Sequence, residues 1–226
     1  MKNLKRALIL ANGRMGGWPR GLEPRPGEDL IICADGGLSH ALRFGLTPDL
    51  VVGDLDSAEP EELKRLAGQG TEIETHPAEK NETDLELALL AALERRAKEI
   101  VVLGALGKRL DMTLANILLL ASERIASGLS GEEGPALRLM DEAETAFFMV
   151  GPGEIRLEGE KGDSVSLMAL DGPVRGLSLR GLRYPLKAAN LPLGSTRGIS
   201  NVIEEPPARL SLLEGGLLVV VSAEAV

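Results

Sequence analysis

The segment LVVGDLDSAEPEE, residues 50–62, begins with an apolar run and continues into two carboxylates, Asp54 and Asp56. Side chains at positions i and i+2 of an extended strand share a face, about 6 to 7 Å apart. Like charges that close disfavour each other's ionised form unless a cation lies between them. Paired carboxylates suit Mg²⁺, so the segment predicts a metal site. The alternative is that Asp56 or Ser57 caps a helix beginning near Pro60.

Short apolar runs alternate with helical patterns through the first half of the chain. The runs ALIL, LIICAD, LVVGD, TEIET and EIVVLGAL predict strands, and their continuous apolar character is typical of strands buried on both faces. After Thr83, apolar residues such as Leu85 and Leu89 recur at helical spacing, and a second such stripe follows Asp111. Strands alternating with helices predict an α/β domain with a mainly parallel sheet flanked by helices.

The pattern changes after residues 126–136, ASGLSGEEGPA, whose glycine, serine and acidic residues are typical of a linker. Beyond it, short apolar runs are separated by glycine and proline turns, without a long helical stripe. Closely spaced strands of this kind predict a β-sandwich or barrel. We therefore predict two domains, an α/β domain over residues 1–130 and a C-terminal all-β sandwich domain over residues 135–226.

Composition limits the class of protein. The 226 residues carry a formal net charge of −9, which argues against general nucleic-acid binding because that function needs a basic surface. No run approaches the roughly 20 apolar residues of a membrane span, and the apolar part of the N-terminal segment is too short for a signal peptide. The one cysteine, Cys33, forms no internal disulfide and fits a reducing compartment. We therefore expect a cytoplasmic protein that binds neither nucleic acid nor a membrane.

Polar clusters follow the predicted strands at their carboxyl ends, where open parallel sheets bind ligands. The clusters are ADGG with Asp35, GDLDS with Asp54 and Asp56, EKNETD with Lys80, Thr83 and Asp84, and GALGKRLD with Lys108, Arg109 and Asp111. Acids that hold Mg²⁺ beside bases that neutralise phosphate oxygens suit a metal–polyphosphate complex. Local explanations stay open, since Thr83 fits a helix cap, Asp84 suits a first helical turn and Asp111 fits an N-cap.

Five motifs occur in the order typical of bacterial thiamin pyrophosphokinases. They are CADGG, PDLVVGDLDS, EKNETDLELAL, GALGKRLDMTLANILLL and, in the second half, GLRYPLKAANLPLGSTRGISN. The resemblance implies Mg²⁺-dependent transfer of diphosphate from ATP to the hydroxyethyl oxygen of thiamin, which gives thiamin diphosphate and AMP. It also implies an α/β catalytic domain, a β-sandwich thiamin-binding domain and a homodimer with active sites shared between subunits.

The resemblance also implies a role for each candidate residue. The expected metal ligands are Asp54, Asp56 and Asp84, which form the catalytic set together with Thr83. The expected ATP contacts are Asp35, Lys80, Arg109 and Asp111. The expected thiamin contacts are Ser200 and Asn201. Because the nucleophile is the substrate's own alcohol, no protein nucleophile is needed, and catalysis rests on positioning and charge neutralisation.

Three positions depart from the family pattern. Asn81 stands where an aspartate is common, Lys108 where a glycine is usual and Met112 where a histidine is usual. Three other functions are compatible with parts of the sequence. A pyrophosphokinase for another small alcohol, such as a hydroxymethylpterin, is disfavoured by the C-terminal motif. A glycosyltransferase with an Asp-x-Asp metal site leaves EKNETD and GALGKRLD unexplained. A catalytically silent thiamin- or nucleotide-binding homologue is disfavoured because all four proposed site aspartates are present.

Overall fold

The computed structural model describes residues 6–25, 27–129 and 136–223, and the chain divides into two compact units, Met1–Glu142 and Ala143–Val226. This division lies later in the sequence than the predicted boundary, which was placed between residues 130 and 135. The reason is that the strand Ala136–Met140 pairs in parallel with Glu99–Leu103 and so belongs to the first unit. Residues 130–135 of the predicted linker lie outside the described residues.

The first unit contains a parallel sheet. Its strands are β1 (Arg6–Leu10), β2 (Asp29–Ala34), β3 (Leu50–Gly53), β4 (Glu72–Thr75), β5 (Glu99–Leu103) and β6 (Ala136–Met140). They are ordered β6-β5-β1-β2-β3-β4, and every neighbouring pair in this order is parallel. The residues of β1, β2 and β3 are buried along their whole length. This burial on both faces explains why their sequences read as continuous apolar runs.

Helices connect these strands. They are α1 (Gly37–Arg43), α2 (Pro60–Gly68), α3 (Asp84–Glu94), α4 (Leu110–Leu119) and α5 (Glu123–Leu129). The predicted stripe after Thr83 is confirmed, since α3 buries Leu85, Ala88 and Leu89 and packs against β1, β2 and β3. Helix α1 approaches β1 so closely that a Cβ at Gly37 would lie 1.9 Å from the carbonyl oxygen of Leu10. Only glycine fits there.

The second unit is a β-sandwich. Its strands are β7 (Glu144–Val150), β8 (Gly153–Arg156), β9 (Ser164–Ala169), β10 (Val174–Arg180), β11 (Leu186–Leu191), β12 (Asn201–Val202), β13 (Arg209–Leu212) and β14 (Gly216–Ser222). Antiparallel pairing gives one sheet in the order β12-β9-β14-β7 and another in the order β11-β10-β13-β8. One apolar cluster joins them, with Leu167 and Val219 from the first sheet and Leu177 and Leu210 from the second.

The predicted fold class is therefore confirmed, an α/β unit with a parallel sheet followed by an all-β unit. Strand β11 was not expected, because its sequence lies in a segment rich in glycine and proline. Among the described residues, the longest helix is only 11 residues, and none is long and apolar enough to cross a membrane.

Candidate active site

The loops that follow β1 and β5 run side by side at the carboxyl edge of the parallel sheet. The amide of Gly13 donates to the carbonyl of Gly104 at 2.6 Å, and the amide of Arg14 donates to the carbonyl of Leu106 at 2.7 Å. A Cβ at Gly13 would lie 2.2 Å from the Gly104 oxygen. Glycine therefore permits the two backbones to pair, and their hydrogen bonds fix the position of both loops.

Three carboxylates converge next to these loops. One oxygen each from Asp35, Asp54 and Asp56 lies within 4.8 Å of the other two. The two aspartates after β3 come together by a different route from the one expected. The strand ends at Gly53, and Leu55 has φ +57, so a turn rather than strand alternation directs Asp54 and Asp56 to one place. Non-glycine residues rarely adopt the left-handed backbone conformation, and those that do cluster at functional sites.

The alternative that Asp56 or Ser57 caps helix α2 is wrong. The helix begins at Pro60 with Glu59 as its N-cap, and no side chain caps it. The Ser57 hydroxyl instead donates to Asp35 Oδ1 at 3.1 Å. Ser57 is therefore part of the acidic cluster, a role that the sequence analysis did not assign to it.

Gly53 keeps a gap open between the carboxylates. Its φ is +150, a conformation that side chains rarely adopt, and a Cβ there would lie 3.1 Å from Asp35 Cβ. The same Cβ would lie 3.2 Å from Asp84 Oδ1. The absence of a side chain at this position therefore sets the spacing between Asp35 and Asp84.

The segment before α3 brings Lys80, Thr83 and Asp84 to the site. Lys80 Nζ lies 2.9 Å from Asp84 Oδ1 in a half-buried ion pair. That oxygen is buried and has no aligned hydrogen bond in the described part of the chain. Thr83 caps α3, as predicted, because its hydroxyl oxygen accepts a hydrogen bond from the Glu86 amide at 3.2 Å. Among the residues that the structure describes, no acceptor is seen for the Thr83 hydroxyl hydrogen, so capping and ligand binding are compatible.

Arg109 and Asp111 form an exposed pair at the start of α4. Arg109 is the N-cap residue, so the predicted N-cap at Asp111 is wrong by two positions. Arg109 Nε donates to Asp111 Oδ1 at 3.1 Å. The hydrogen bond from Arg109, helped by the Met112 amide, lowers the pKa of the Asp111 carboxyl. Asp111 therefore stays ionised at neutral pH and keeps the arginine directed along the helix end.

A cleft of about 430 Å³ joins these elements within the first unit. It is lined by predicted residues and by further polar ones: Asn12, Asp35, Asp54, Lys80, Glu82, Thr83, Asp84, Lys108, Arg109 and Asn116. Asp56 and Asp111 are not among its lining residues, although each neighbours one that is. Sequence reasoning did not select Asn12, Glu82 and Asn116. The sequence signal that could have identified Asn116 is a polar residue within an apolar helix. In the structure Asn116 is buried and its side chain donates to the Ala105 carbonyl at 2.7 Å.

In the second unit, Asn201 is buried and its side chain binds backbone. Its amide nitrogen donates to the Tyr184 carbonyl at 2.9 Å, and its oxygen accepts from the Tyr184 amide at 3.0 Å and the Val202 amide at 2.9 Å. Ser200 is exposed, with φ +58. The geometry thus gives Asn201 a structural function, the clamping of the Tyr184 backbone, while the predicted thiamin contacts of Ser200 and Asn201 stay predictions.

Comparison with known proteins places both units in one family. Residues 26–127 match the family model described as thiamin pyrophosphokinase, catalytic domain. Residues 154–215 match the model described as thiamin pyrophosphokinase, vitamin B1 binding domain. A thiamine pyrophosphokinase of Bacillus subtilis is 31% identical over 196 residues, which are 86% of this chain and 88% of the relative. The chain belongs to the thiamin pyrophosphokinase family.

Solved structures of thiamin pyrophosphokinases share the whole fold. A crystal structure of a thiamin pyrophosphokinase family protein from Enterococcus faecalis aligns with a TM-score of 0.83 at 30% identity, over 98% of this chain and all of that one. The crystal structure of the Bacillus subtilis thiamine pyrophosphokinase aligns with a TM-score of 0.82 at 29% identity, with the same coverage. The acidic cluster and the cleft lie in the unit that matches the catalytic domain of thiamin pyrophosphokinase.

The acidic cluster also fits the divalent ion that thiamin pyrophosphokinases are expected to use. The donors are carboxylate oxygens, which hard cations such as Mg²⁺ prefer. Asp35, Asp54 and Asp56 supply three such oxygens within 4.8 Å of one another, and the Ser57 hydroxyl donates a hydrogen bond to Asp35 beside them. In this structure Asp35 groups with Asp54 and Asp56, and Asp84 is paired with Lys80. The expected ligand set of Asp54, Asp56 and Asp84 stays a prediction.

Proposed function

We propose that this protein transfers diphosphate from ATP to the hydroxyethyl oxygen of thiamin, giving thiamin diphosphate and AMP. The observation that carries the proposal is the carboxylate cluster of Asp35, Asp54 and Asp56 beside a cleft that also holds cations. A metal–triphosphate complex needs that combination of charges. The unit that contains it matches a catalytic domain, and the other unit matches a vitamin B1 binding domain.

The nucleophile in this reaction is the alcohol of thiamin, so the protein supplies no attacking group. Among the described residues, the single cysteine is buried, and burial raises the pKa of the Cys33 thiol far above its usual range. The thiol is therefore neutral and unreactive. The new bond forms between the thiamin oxygen and the β-phosphorus, the bond from the β-phosphorus to the α-phosphate oxygen breaks, and AMP leaves. A carboxylate of the cluster accepts the hydroxyl proton.

The site residues act by positioning and by charge neutralisation. Asp35, Asp54 and Asp56 would hold Mg²⁺, and when bound it would offset the negative charge that develops on the phosphate oxygens. Thr83 presents its hydroxyl hydrogen to a phosphate oxygen while its oxygen caps α3. Asp84 keeps Lys80 at the wall of the cleft through their ion pair. Arg109, held by Asp111, contacts the nucleotide.

We also propose that the enzyme is a homodimer in which thiamin, bound by the second unit of one subunit, meets the cleft of its partner. Helix α4 supports an interface on the first unit. Leu110, Leu114 and Leu118 lie on one side of this helix and are 75%, 51% and 55% exposed. Three leucines exposed along one helical stripe favour a protein partner over solvent.

The free, buried Cys33 supports a reducing compartment such as the cytoplasm.

Product analysis tests the reaction. Purified protein is incubated with ATP, Mg²⁺ and thiamin, and chromatography follows AMP and thiamin diphosphate. We expect the two products in equal amounts, and no AMP when hydroxymethylpterin replaces thiamin. Asp54→Asn should lower the rate by about 100-fold or more, because it removes a charge that offsets the metal. Formation of AMP without thiamin diphosphate, or a normal rate for Asp54→Asn at saturating Mg²⁺, contradicts the proposal.

The dimer is tested by sedimentation-velocity ultracentrifugation at micromolar concentration. Leu114→Glu places a charge in the exposed leucine stripe and should shift the enzyme towards monomers. Ala67→Glu adds the same charge to an exposed position of α2 and serves as the control. A wild-type protein that is monomeric at micromolar concentration, or a Leu114→Glu variant as dimeric as the control, contradicts the interface.

A further inference from the structure

Three cationic side chains line the cleft among the residues that the structure describes, and they differ in their partners. Lys80 is paired with Asp84 at 2.9 Å, and Arg109 is paired with Asp111. Lys108 has one described side-chain contact, in which its Nζ donates to the neutral Asn12 Oδ1 at 2.9 Å. Lys108 is therefore the described cleft cation whose charge no carboxylate compensates.

The backbone does not explain a lysine at this position. Lys108 has φ +61, in the left-handed region that favours glycine. Its neighbour Gly107 and the nearby Gly104 have φ +78 and +64, so three of the five residues 104–108 adopt a backbone conformation that favours glycine. A lysine here is conformationally unfavourable, and an explanation has to come from its side chain.

Asn12 holds that side chain in place. It lies two residues after the end of β1, and its amide lies against the backbone of the loop after β2, where a Cβ at Gly36 would be 2.4 Å from Asn12 Nδ2. The loops that carry Asn12 and Lys108 are joined by the backbone pairing of Gly13 with Gly104. Asn12 thus directs the ammonium group from a fixed position. An ammonium has three donors and Asn12 accepts one, so two remain for a ligand.

The surroundings of Lys108 indicate what it binds. The same cleft is lined by four carboxylates: Asp35, Asp54, Glu82 and Asp84. Such a cleft repels a bare anion but accepts one whose charge is shared between a cation bound by the acids and a cation of the protein. A polyphosphate chain meets this condition, because its metal-bound oxygens face the acids and its other oxygens accept hydrogen bonds from the lysine.

We propose that Lys108 is a phosphate-binding residue that contacts the β- or γ-phosphate of the bound nucleotide, and that Asn12 is its positioning residue. This inference rests on the proposed function, since it takes ATP as the ligand of the cleft. It adds to that function a cation where the family usually has a glycine.

Calorimetric titration with ATP, ADP and AMP, in the presence of Mg²⁺ and without thiamin, tests the assignment. Lys108→Gln removes the charge, and Lys108→Gly removes it while fitting the left-handed backbone. Both variants should bind ATP about tenfold more weakly, the loss expected for one hydrogen bond to a charged group. AMP, which lacks the β- and γ-phosphates, should bind within about twofold of wild type. Lys64→Gln, on an exposed lysine of α2, is the charge-matched control and should leave all three affinities unchanged.

The positioning role of Asn12 is tested by a double-mutant cycle. Asn12→Ala should weaken ATP binding less than Lys108→Gln does. The double variant should bind ATP no more weakly than Lys108→Gln alone, because the two residues act through one contact. Fully additive losses would overturn the role of Asn12.

Unchanged ATP affinity in both Lys108 variants, or equal losses for ATP and AMP, would overturn the phosphate contact. These results are separable from a failure of the proposed function, because binding is measured without thiamin. A wild-type protein that binds none of the three nucleotides would overturn both proposals.

Discussion

Replacing Asp54 by asparagine should stabilise the metal-free protein, although Asp54 is a proposed catalytic residue. Its carboxylate lies within 4.8 Å of those of Asp35 and Asp56. At that distance two unit charges repel by roughly 1 kcal/mol at the dielectric constant of water and by roughly 3 to 4 kcal/mol at an effective value of about 20. Asp56 is exposed and the other two are half-buried, so the lower figure is the better guide. Removing both repulsions should therefore raise the free energy of unfolding by about 1 to 2 kcal/mol.

Mg²⁺ should reverse this order of stability. A ligand at 100 times its dissociation constant stabilises the folded state by about 2.7 kcal/mol, and Asp54→Asn loses most of that gain because it removes one metal-binding charge. The side chain is isosteric, and its oxygen still accepts the hydrogen bond from the Asp56 amide. The change is therefore one of charge and not of packing.

Differential scanning calorimetry with EDTA and with saturating Mg²⁺ measures both effects. We expect the melting temperature of Asp54→Asn to exceed that of wild type by roughly 2 to 8 °C in EDTA. It should fall below that of wild type in Mg²⁺. Glu61→Gln, which removes an exposed charge paired with Lys64, is the control and should follow wild type in both buffers. Destabilisation of Asp54→Asn in EDTA, or an equal Mg²⁺-dependent shift for both proteins, would refute the reasoning.

Three further predictions concern residues with defined contacts. Thr83→Ala should cost about 1 kcal/mol of stability through the lost bond from the Glu86 amide. It should also lower turnover, whereas Thr83→Ser should keep both stability and turnover. Full turnover of folded Thr83→Ala would show that Thr83 has no role in catalysis. Because burial raises the pKa of the Cys33 thiol, the thiol should stay protonated at pH 8. Mass spectrometry should then find no alkylation by iodoacetamide until urea unfolds the protein, and rapid native labelling would contradict this burial. Asn201→Ala should lower the free energy of unfolding by about 1 to 3 kcal/mol, because it leaves the Tyr184 amide and carbonyl unsatisfied. Denaturant titration measures this change, and a stability equal to wild type would show that water replaces the clamp.

Local sequence signals predicted most of the parallel sheet. A strand such as β1 is buried on both faces, so its identity is visible in a run of consecutive apolar residues. The domain boundary was not visible in the same way. Strand β6 resembles the short strands that follow it in sequence, and only its pairing with β5 places it in the first unit. Strand pairing between distant segments leaves no trace in local composition.

The aspartates of the site were predictable because they follow buried strands, and the carboxyl ends of parallel strands meet at one edge. Which of these aspartates lie closest together was not predictable from the sequence. It depends on the left-handed turn at Leu55 and on the ion pair that holds Asp84 to Lys80. The clamp made by Asn201 joins residues 17 positions apart, so local sequence does not indicate it, and the thiamin contact that the family resemblance implies for Asn201 stays a prediction. Side chains that bind distant backbone are indistinguishable from ligand-binding side chains in a single sequence.

The central claim is that the alcohol of thiamin attacks the β-phosphorus of ATP in the cleft that contains Asp54. Two parallel reactions, one with ATP labelled at the β-phosphorus and one with ATP labelled at the γ-phosphorus, test it most directly. The account predicts that both labels pass in equal yield into thiamin diphosphate while AMP stays unlabelled. Transfer of the γ-label alone, with the β-label remaining in ADP, would contradict it.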